Sequence, residues 1–172
     1  MPLLAPMSTI AGQLAFVVGS YHLLKHNKGK GVMIGHMDDM DPRVVTVIGA
    51  GVAGTQSILK AIDNKALVKV VESSQSKLDD LKSKYGTENV EYILSSKDSI
   101  QVSVNESDLV IGSVYVVGKE APKVVTKEML SSMNPGTVMV DVSIDQGGCF
   151  ETSKPTTHDS PTFLENDIVH YC

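Results

Sequence analysis

The chain has 172 residues, enough for one domain with a well-formed core, and its hydrophobic (42%) and charged (20%) fractions are ordinary for a globular protein. A net charge of −5 excludes the concentrated basic face that binding to nucleic acid needs. No apolar run reaches the ~18 to 20 residues of a membrane helix, and the first six residues lack the basic and apolar regions of a signal peptide.

Metal binding and disulfides are also disfavoured by the sequence. The two cysteines, Cys149 and Cys172, are too few and too far apart for a zinc site or a disulfide framework. The five histidines show no metal spacing, and no serine or cysteine nucleophile motif occurs. We therefore predict no metal and a cytoplasmic location.

The first periodic segment follows Pro6 and predicts a helix with Ser8 as its N-cap. Small residues lie on a face next to the apolar one, which leaves two interpretations open. Either the apolar residues face the core, or the small residues mark a close contact with another helix or domain. We assign residues 1–40 to this N-terminal linker helix and a loop that packs on the domain, and we expect the basic segment 25–30 (KHNKGK) to be solvated. The apolar residues are Ile10, Leu14, Val17, Tyr21 and Leu24, and the small ones are Gly12, Ala15 and Gly19.

From residue 41 the rhythm becomes strand alternating with helix, which predicts a parallel sheet covered on both faces. The predicted fold of 41–172 is therefore an α/β, Rossmann-type doubly wound sheet. A loop containing Pro155 and Pro161 precedes the last strand. The predicted strands are 43–48, 67–71, 90–94, 109–112, 137–142 and 168–171, and the predicted helices run from the glycine run through 62, from the Ser74 cap to 85, 97–104 and 127–133.

A glycine-rich turn links the first of these strands to its helix. Its letters, GAGVAG at 49–54, match the G-x-G-x-x-G pattern of dinucleotide-binding proteins. Gly49 permits the tight turn, Gly51 lets the backbone approach a pyrophosphate, and Gly54 lets helix and strand pack closely. The N–H groups at the helix N-terminus then face the phosphates.

An acidic residue is expected about 20 residues further on, at the end of the second strand. Glu72 stands there, and its carboxylate can accept both ribose hydroxyls of the adenosine while repelling a 2′-phosphate. This favours NAD over NADP, although Lys77 lies close enough in sequence to keep NADP open.

The carboxyl ends of the fourth and fifth strands should face the nicotinamide half of the cofactor. Gly112-Ser113-Val114-Tyr115 follows one strand, and 143–148 (SIDQGG) follows the other. Asp145 is a carboxylate on this second loop, where chemistry on a substrate is possible. An Asp that only forms a turn is the alternative interpretation.

Several segments together resemble the alanine dehydrogenase family over essentially the whole chain. They are Pro2-Leu3-Leu4-Ala5-Pro6-Met7-Ser8, VIGAGVAG at 47–54, Ala121-Pro122, MNPGTVMVDVSIDQGG at 133–148, and Thr157-His158-Asp159 with Pro161-Thr162. The NAD-binding component of proton-translocating transhydrogenase is similar but usually has an Ala-Glu-Ala-Gly-Gly type segment where this chain has Ile144-Asp145-Gln146-Gly147-Gly148.

The resemblance implies the reversible oxidative deamination of L-alanine by NAD and water to pyruvate and ammonium, with Asp145 as the catalytic aspartate. It also implies a homo-oligomer, since the family is commonly hexameric. The cofactor contacts that it adds to the glycine turn are Ser8, Val52, Ala53, Glu72, Lys77, Ser95, Val114, Tyr115, Val142, Ser143, Ile144, Asp145 and Lys154.

The family's first lobe, which supplies a substrate-binding arginine, a lysine and a catalytic histidine, has no counterpart in this chain. We therefore expect a cofactor domain that is not catalytic by itself. The alternatives are a component related to transhydrogenase and a stand-alone module that responds to NAD(H).

Overall fold

The computed structural model describes residues 4–35 and 40–172. Residues 1–3 and 36–39, which include part of the predicted linker and the Pro2-Leu3 part of the family motif, lie outside the described residues. Within the described ranges the predicted α/β architecture is confirmed.

Within the described residues, a single mostly parallel sheet has seven strands in the order β3-β2-β1-β4-β5-β7-β6. The order reverses between β1 and β4, which places a crevice at the carboxyl ends of these two strands. The strands are β1 Val44–Ile48, β2 Leu67–Glu72, β3 Val90–Leu94, β4 Leu109–Gly112, β5 Val138–Asp141, β6 Phe163–Glu165 and β7 Ile168–Tyr171.

Five α-helices cover both faces of the sheet, because successive strand residues point to opposite faces. Val45 and Val47 lie in one hydrophobic core with Ile58 of α2, whereas Ile48 lies in the other core with Val104 of α4. The helices are α1 Leu4–His22, α2 Val52–Asp63, α3 Gln75–Tyr85, α4 Lys97–Glu106 and α5 Lys127–Leu130.

Helix α1 packs against α2, β4 and β5 through its small residues and not through its apolar stripe. A Cβ built on Gly12 would lie 2.0 Å from the carbonyl oxygen of Ala53, and one on Gly19 would lie 2.4 Å from Leu109. The interpretation in which the stripe faces the core is therefore wrong, because the packed face carries the small residues together with the buried Phe16, whereas the stripe is exposed. The exposed residues of this surface, the α1 stripe, are Met7, Ile10, Leu14, Val17 and Tyr21.

Two further local predictions are corrected. Ser8 is not an N-cap, since the chain is already helical at Leu4 and a proline such as Pro6 is tolerated in a first helical turn. The 25–30 loop is not wholly solvated: the Lys30 Nζ donates to the Asp108 carboxylate at 2.9 Å and to the Ser107 carbonyl at 2.9 Å.

The last part of the chain contains a strand that the sequence did not predict. Phe163–Glu165 forms β6, which pairs antiparallel with β7 at the edge of the sheet. Three residues are too few for a periodic pattern to show. No described helix is both long and apolar enough to cross a bilayer.

Candidate functional site

A cleft of about 520 Å³ lies at the carboxyl ends of the central strands. Its walls come from the first half of α1, the glycine turn, the segment after β4 and the segment after β5. The lining residues are Ala5, Met7, Ser8, Ala11, Gly51, Val52, Ala53, Ser113, Val114, Tyr115, Val142, Ser143, Asp145 and Gln146.

The glycine turn forms the floor of the cleft. Gly49 adopts φ +90°, and a Cβ there would lie 2.8 Å from the Ser113 carbonyl oxygen. A Cβ on Gly54 would lie 1.9 Å from the Gly49 carbonyl oxygen, closer than atoms can approach. Gly49 and Gly54 are thus required by the close packing of β1, α2 and β4.

Gly51 differs from the other two glycines because it borders open space. A Cβ on Gly51 would meet nothing within 4 Å, and no side chain caps α2 at this residue. The first N–H groups of a helix have no partner within the helix, and the dipole makes this end positive. The turn therefore has the room and the donors that a pyrophosphate needs.

Glu72, the last residue of β2, ties the glycine turn to the second strand. Its carboxylate accepts hydrogen bonds from the amides of Ala50 at 2.8 Å and Ser73 at 2.8 Å, and Lys77 Nζ lies at 3.3 Å. Burial, the largest effect, raises the pKa of Glu72, but these donors, the Lys77 charge and the Ser74 amide together lower it. The side chain is thus a carboxylate at neutral pH beside the turn.

Three of the predicted cofactor contacts, Glu72, Lys77 and Ser95, lie together, and none of them lines the cleft. The Ser95 amide donates to the Glu72 carbonyl at 2.9 Å, and Lys77 is bonded to the Glu72 carboxylate. Lys154 is placed elsewhere: its Nζ lies 5.2 Å from the Phe163 ring, and it does not line the cleft.

Asp145 lies on the opposite side of the cleft, in a short 3-10 helix, Ile144–Gln146, that ends at Gly147 with φ +85°. The Asp145 side chain is exposed at the cleft. Ile144 lies between cleft residues but does not itself line the cleft. The Ser143 hydroxyl donates to the Val114 carbonyl at 2.8 Å and so joins the two loops that form this side.

Five lining residues were not among the predicted cofactor contacts: Ala5, Met7 and Ala11 of α1, and Ser113 and Gln146 of the two segments expected to face the nicotinamide half. Ser113 follows β4 directly and donates to the Gly49 carbonyl at 2.6 Å. Gln146 has a buried amide oxygen with no hydrogen-bond partner among the described residues. The place of Ser113 and Gln146 after a strand, next to predicted residues, is the signal that would have identified both.

In the described ranges, no cluster of three or more His, Cys, Asp or Glu side chains has the arrangement of a metal site. Both cysteines are free thiols.

A protein-family model described as "Alanine dehydrogenase/PNT, C-terminal domain" matches residues 15–172. Among curated proteins, the chain is 46% identical over 172 residues to an alanine dehydrogenase from Halomonas elongata. It is 45% identical over 173 residues to one from Mycobacterium tuberculosis. Each match covers the whole of this chain and 46% of the relative, so the chain spans just under half the length of these relatives.

Solved structures give the same result for the fold. A chain described as L-alanine dehydrogenase superposes with a TM-score of 0.95 at 39% identity, over 99% of this chain and 47% of the other. A transhydrogenase from Sinorhizobium meliloti superposes with a TM-score of 0.83 at 23% identity, over 99% of this chain and 49% of that one, a likeness of fold alone.

Proposed function

The chain belongs to the family of the alanine dehydrogenase/PNT C-terminal domain, and we propose that it is the NAD-binding domain of an L-alanine dehydrogenase. The observation that carries this proposal is the combination of an open Gly51, an uncapped α2 and the Glu72 carboxylate beside them. Gly51 and the start of α2 offer donors for a pyrophosphate, and Glu72 offers an acceptor for a ribose diol when the ribose hydroxyls replace the Ser73 hydroxyl and Lys77, which bind its carboxylate in this structure.

The proposed reaction converts L-alanine, NAD and water reversibly into pyruvate, ammonium, NADH and a proton. NAD, when bound, supplies the acceptor for the hydride that leaves the substrate. Gly51, Val52 and Ala53 hold the pyrophosphate, Glu72 holds the adenosine ribose, and Val114, Tyr115 and Val142 line the nicotinamide half. Asp145 is the catalytic aspartate, which orients substrate and water from the rim of the cleft.

The cleft also supports the proposal that catalysis needs a further part of the enzyme. Among the described lining residues Asp145 is the only carboxylate, and no lysine, arginine or histidine is present. The carboxylate of alanine requires a cation to bind it, and deamination requires an acid–base group. These groups come from the part of the enzyme outside this chain.

Titration of the chain with NADH tests the cofactor proposal. Glu72→Ala removes a charged acceptor, and a hydrogen bond to a charged group contributes ~1.5 to 3 kcal/mol, so we expect NADH to bind at least about tenfold more weakly. Glu91→Ala removes an exposed glutamate of β3 and is the matched control, with unchanged affinity. Unchanged NADH binding in Glu72→Ala would remove Glu72 from the site.

NADPH titrated in parallel tests the choice of cofactor. The wild type should prefer NADH, because Glu72 repels a 2′-phosphate. Glu72→Ala should reduce the difference in affinity between NADH and NADPH, since Lys77 then faces the ribose without its carboxylate partner. A wild type that binds NADPH as tightly as NADH would contradict the proposal.

An activity assay tests the need for the missing part. The chain mixed with L-alanine and NAD should form no NADH, and the remaining lobe added in trans should restore turnover. Turnover by the chain alone would contradict the division of labour proposed here. If the chain binds NADH tightly but adding the lobe produces no turnover, the result would favour a stand-alone NAD(H)-responsive module.

We also propose a homo-oligomer assembled through the α1 stripe, with a second copy of the chain as the occupant. The stripe residues Met7, Ile10, Leu14, Val17 and Tyr21 alternate in steps of three and four, the spacing of a coiled-coil seam, which is complementary to itself. Helix α1 contains no Asp, Glu, Lys or Arg, so like charges do not oppose the pairing. Two free thiols support the proposal of a reducing, cytoplasmic location.

A further inference from the structure

Asp141 ends β5 directly beneath the loop that carries Asp145. Its side chain is only 3% exposed, although a carboxylate is among the groups that are most costly to bury. A buried charge at the root of a functional loop requires a physical reason.

The loop itself supplies the hydrogen bonds that this carboxylate needs. Oδ1 accepts from the amide of Ser143 at 3.0 Å and from the thiol of Cys149 at 3.5 Å. Oδ2 accepts from the amides of Cys149 at 2.8 Å and Phe150 at 3.2 Å, and from the hydroxyl of Ser153. Asp141 thus joins the outgoing and returning arms of the loop at a single point.

No lysine or arginine among the described residues forms an ion pair with Asp141. Loop donors therefore offset its desolvation without a partner cation. Burial, helped by the Asp141 charge, holds the pKa of the Cys149 thiol well above its usual range, which keeps the thiol protonated as a donor. The buried Asp141 charge therefore depends on the hydrogen-bond donors of the closed loop, and the closed loop depends on the Asp141 carboxylate as their acceptor.

Lys123 holds the same loop from the outside. Its Nζ donates to the carbonyls of Gly147 and Gly148, two glycines with φ +85° and +77°. The turn that follows Asp145 and Gln146 is therefore fixed on both sides, while the Asp145 side chain stays exposed at the cleft.

We propose that Asp141 is a positioning residue that holds the loop so that Asp145 and Gln146 face the nicotinamide half of the cleft. This inference rests on the proposed function, because it needs a nicotinamide at that side. The adenosine end around Glu72 is built from other segments and is independent of Asp141.

Asp141→Asn tests the proposal, because an amide in place of the carboxylate leaves at least one loop donor without an acceptor. Asp108→Asn is the matched control. Asp108 is a buried aspartate that binds the Val44 amide at 3.0 Å and Lys30 at 2.9 Å, at the amino ends of the strands. The readouts are affinity for NADH, affinity for 5′-AMP and the fluorescence of bound NADH.

We expect Asp141→Asn to bind NADH about tenfold more weakly and to lose the fluorescence change of the bound nicotinamide. Its affinity for 5′-AMP should stay within about twofold of the wild type, and Asp108→Asn should keep both affinities. A folded Asp141→Asn chain that binds NADH normally, or that loses AMP and NADH affinity in parallel, would overturn the positioning role.

Ser153→Ala keeps the test decisive if Asp141→Asn does not fold. It removes one donor to Asp141, and we expect a two- to fourfold weaker affinity for NADH with unchanged affinity for AMP. Unchanged NADH affinity in Ser153→Ala would then overturn the inference. A wild-type chain that binds neither NADH nor AMP would instead overturn the proposed function.

Discussion

Individual glycines of the turn make separable contributions to packing and to binding. A Cβ on Gly54 overlaps the Gly49 carbonyl, whereas a Cβ on Gly51 meets only open space. Gly54 therefore serves the fold first, and Gly51 leaves open space for the pyrophosphate that is proposed to bind there. The motif letters alone do not make this distinction.

Alanine substitutions at the two positions should separate these contributions. Gly54→Ala forces α2 away from β1, and overpacking of this kind costs ~1 to 3 kcal/mol, or several degrees in Tm. Gly51→Ala should change stability by less than about 1 kcal/mol, because its φ of −69° suits alanine.

Calorimetry and NADH titration of both variants check this prediction. Gly51→Ala should bind NADH at least about tenfold more weakly while its Tm stays near that of the wild type. The prediction fails if Gly51→Ala binds NADH normally, or if Gly54→Ala is as stable as the wild type.

The sequence predicted single residues where the backbone itself forms the candidate site. Gly49, Gly51, Gly54 and Glu72 were predicted because a turn, a helix N-terminus and a strand end have fixed spacing along the chain. The role of Asp141 was not predicted, because its donors lie up to twelve residues further on and meet it only after the loop folds back.

At the level of elements, α1 shows where sequence patterns are insufficient. Its periodicity predicted a helix correctly but not which face is covered, since apolar spacing reports amphipathicity and not the identity of the neighbour. The small residues carried the information, and only the contact of Gly12 with Ala53 settles their role.

The α1 stripe gives an element-scale prediction about self-association. Leu14, 53% exposed, lies at the middle of the stripe, and Leu14→Glu places a charge where two copies would meet. Sedimentation should show a wild-type oligomer and a smaller Leu14→Glu species.

Val102→Glu is the control, because Val102 is 54% exposed on α4, away from the stripe. It should leave the wild-type mass unchanged. A wild-type monomer, or an equal loss of association in both variants, would show that a second copy does not cover the stripe.

The strands and helices of the central sheet were predicted to within a few residues because buried parallel strands are apolar runs between turn signals. Edge strand β6 was not predicted, because its three residues are too few to form such an apolar run. It pairs antiparallel with β7 and forms the edge of the sheet.

For the whole molecule, a buried histidine links stability to pH. His170 is fully buried, stacks on Phe163 with ring centroids 4.8 Å apart, and bonds to Thr152 Oγ1 at 2.8 Å. Burial, the largest effect, lowers the pKa of His170 below its usual 6.5. The folded protein therefore holds this imidazole neutral.

The sign of the pH dependence follows from proton binding. Between the folded-state and unfolded-state pKa values of His170, the unfolded chain binds more protons than the folded chain. The free energy of unfolding therefore has its full value above pH ~6.5 and decreases as the pH is lowered from there. Urea unfolding should show a lower free energy of unfolding at pH 5.5 than at pH 8. His170→Gln should be less stable than the wild type at pH 8, but its free energy of unfolding should decrease less between pH 8 and pH 5.5.

Exposed His158 provides the control, and His158→Gln should keep the wild-type difference between the two pH values. Burial also lowers the pKa of His22, so His170→Gln should retain part of the dependence. An undiminished pH dependence in His170→Gln would contradict the assignment.

The contact between Gly12 and Ala53 has a thermodynamic consequence for the assembled protein. Ser8 of α1 lines the cofactor cleft, and Met7 belongs both to the cleft lining and to the stripe proposed for association. One rigid helix thus borders both sites. By linkage, the factor by which association changes affinity for NADH equals the factor by which NADH changes association. Binding of NADH at the glycine turn and association of copies of the chain then strengthen or weaken each other by the same factor.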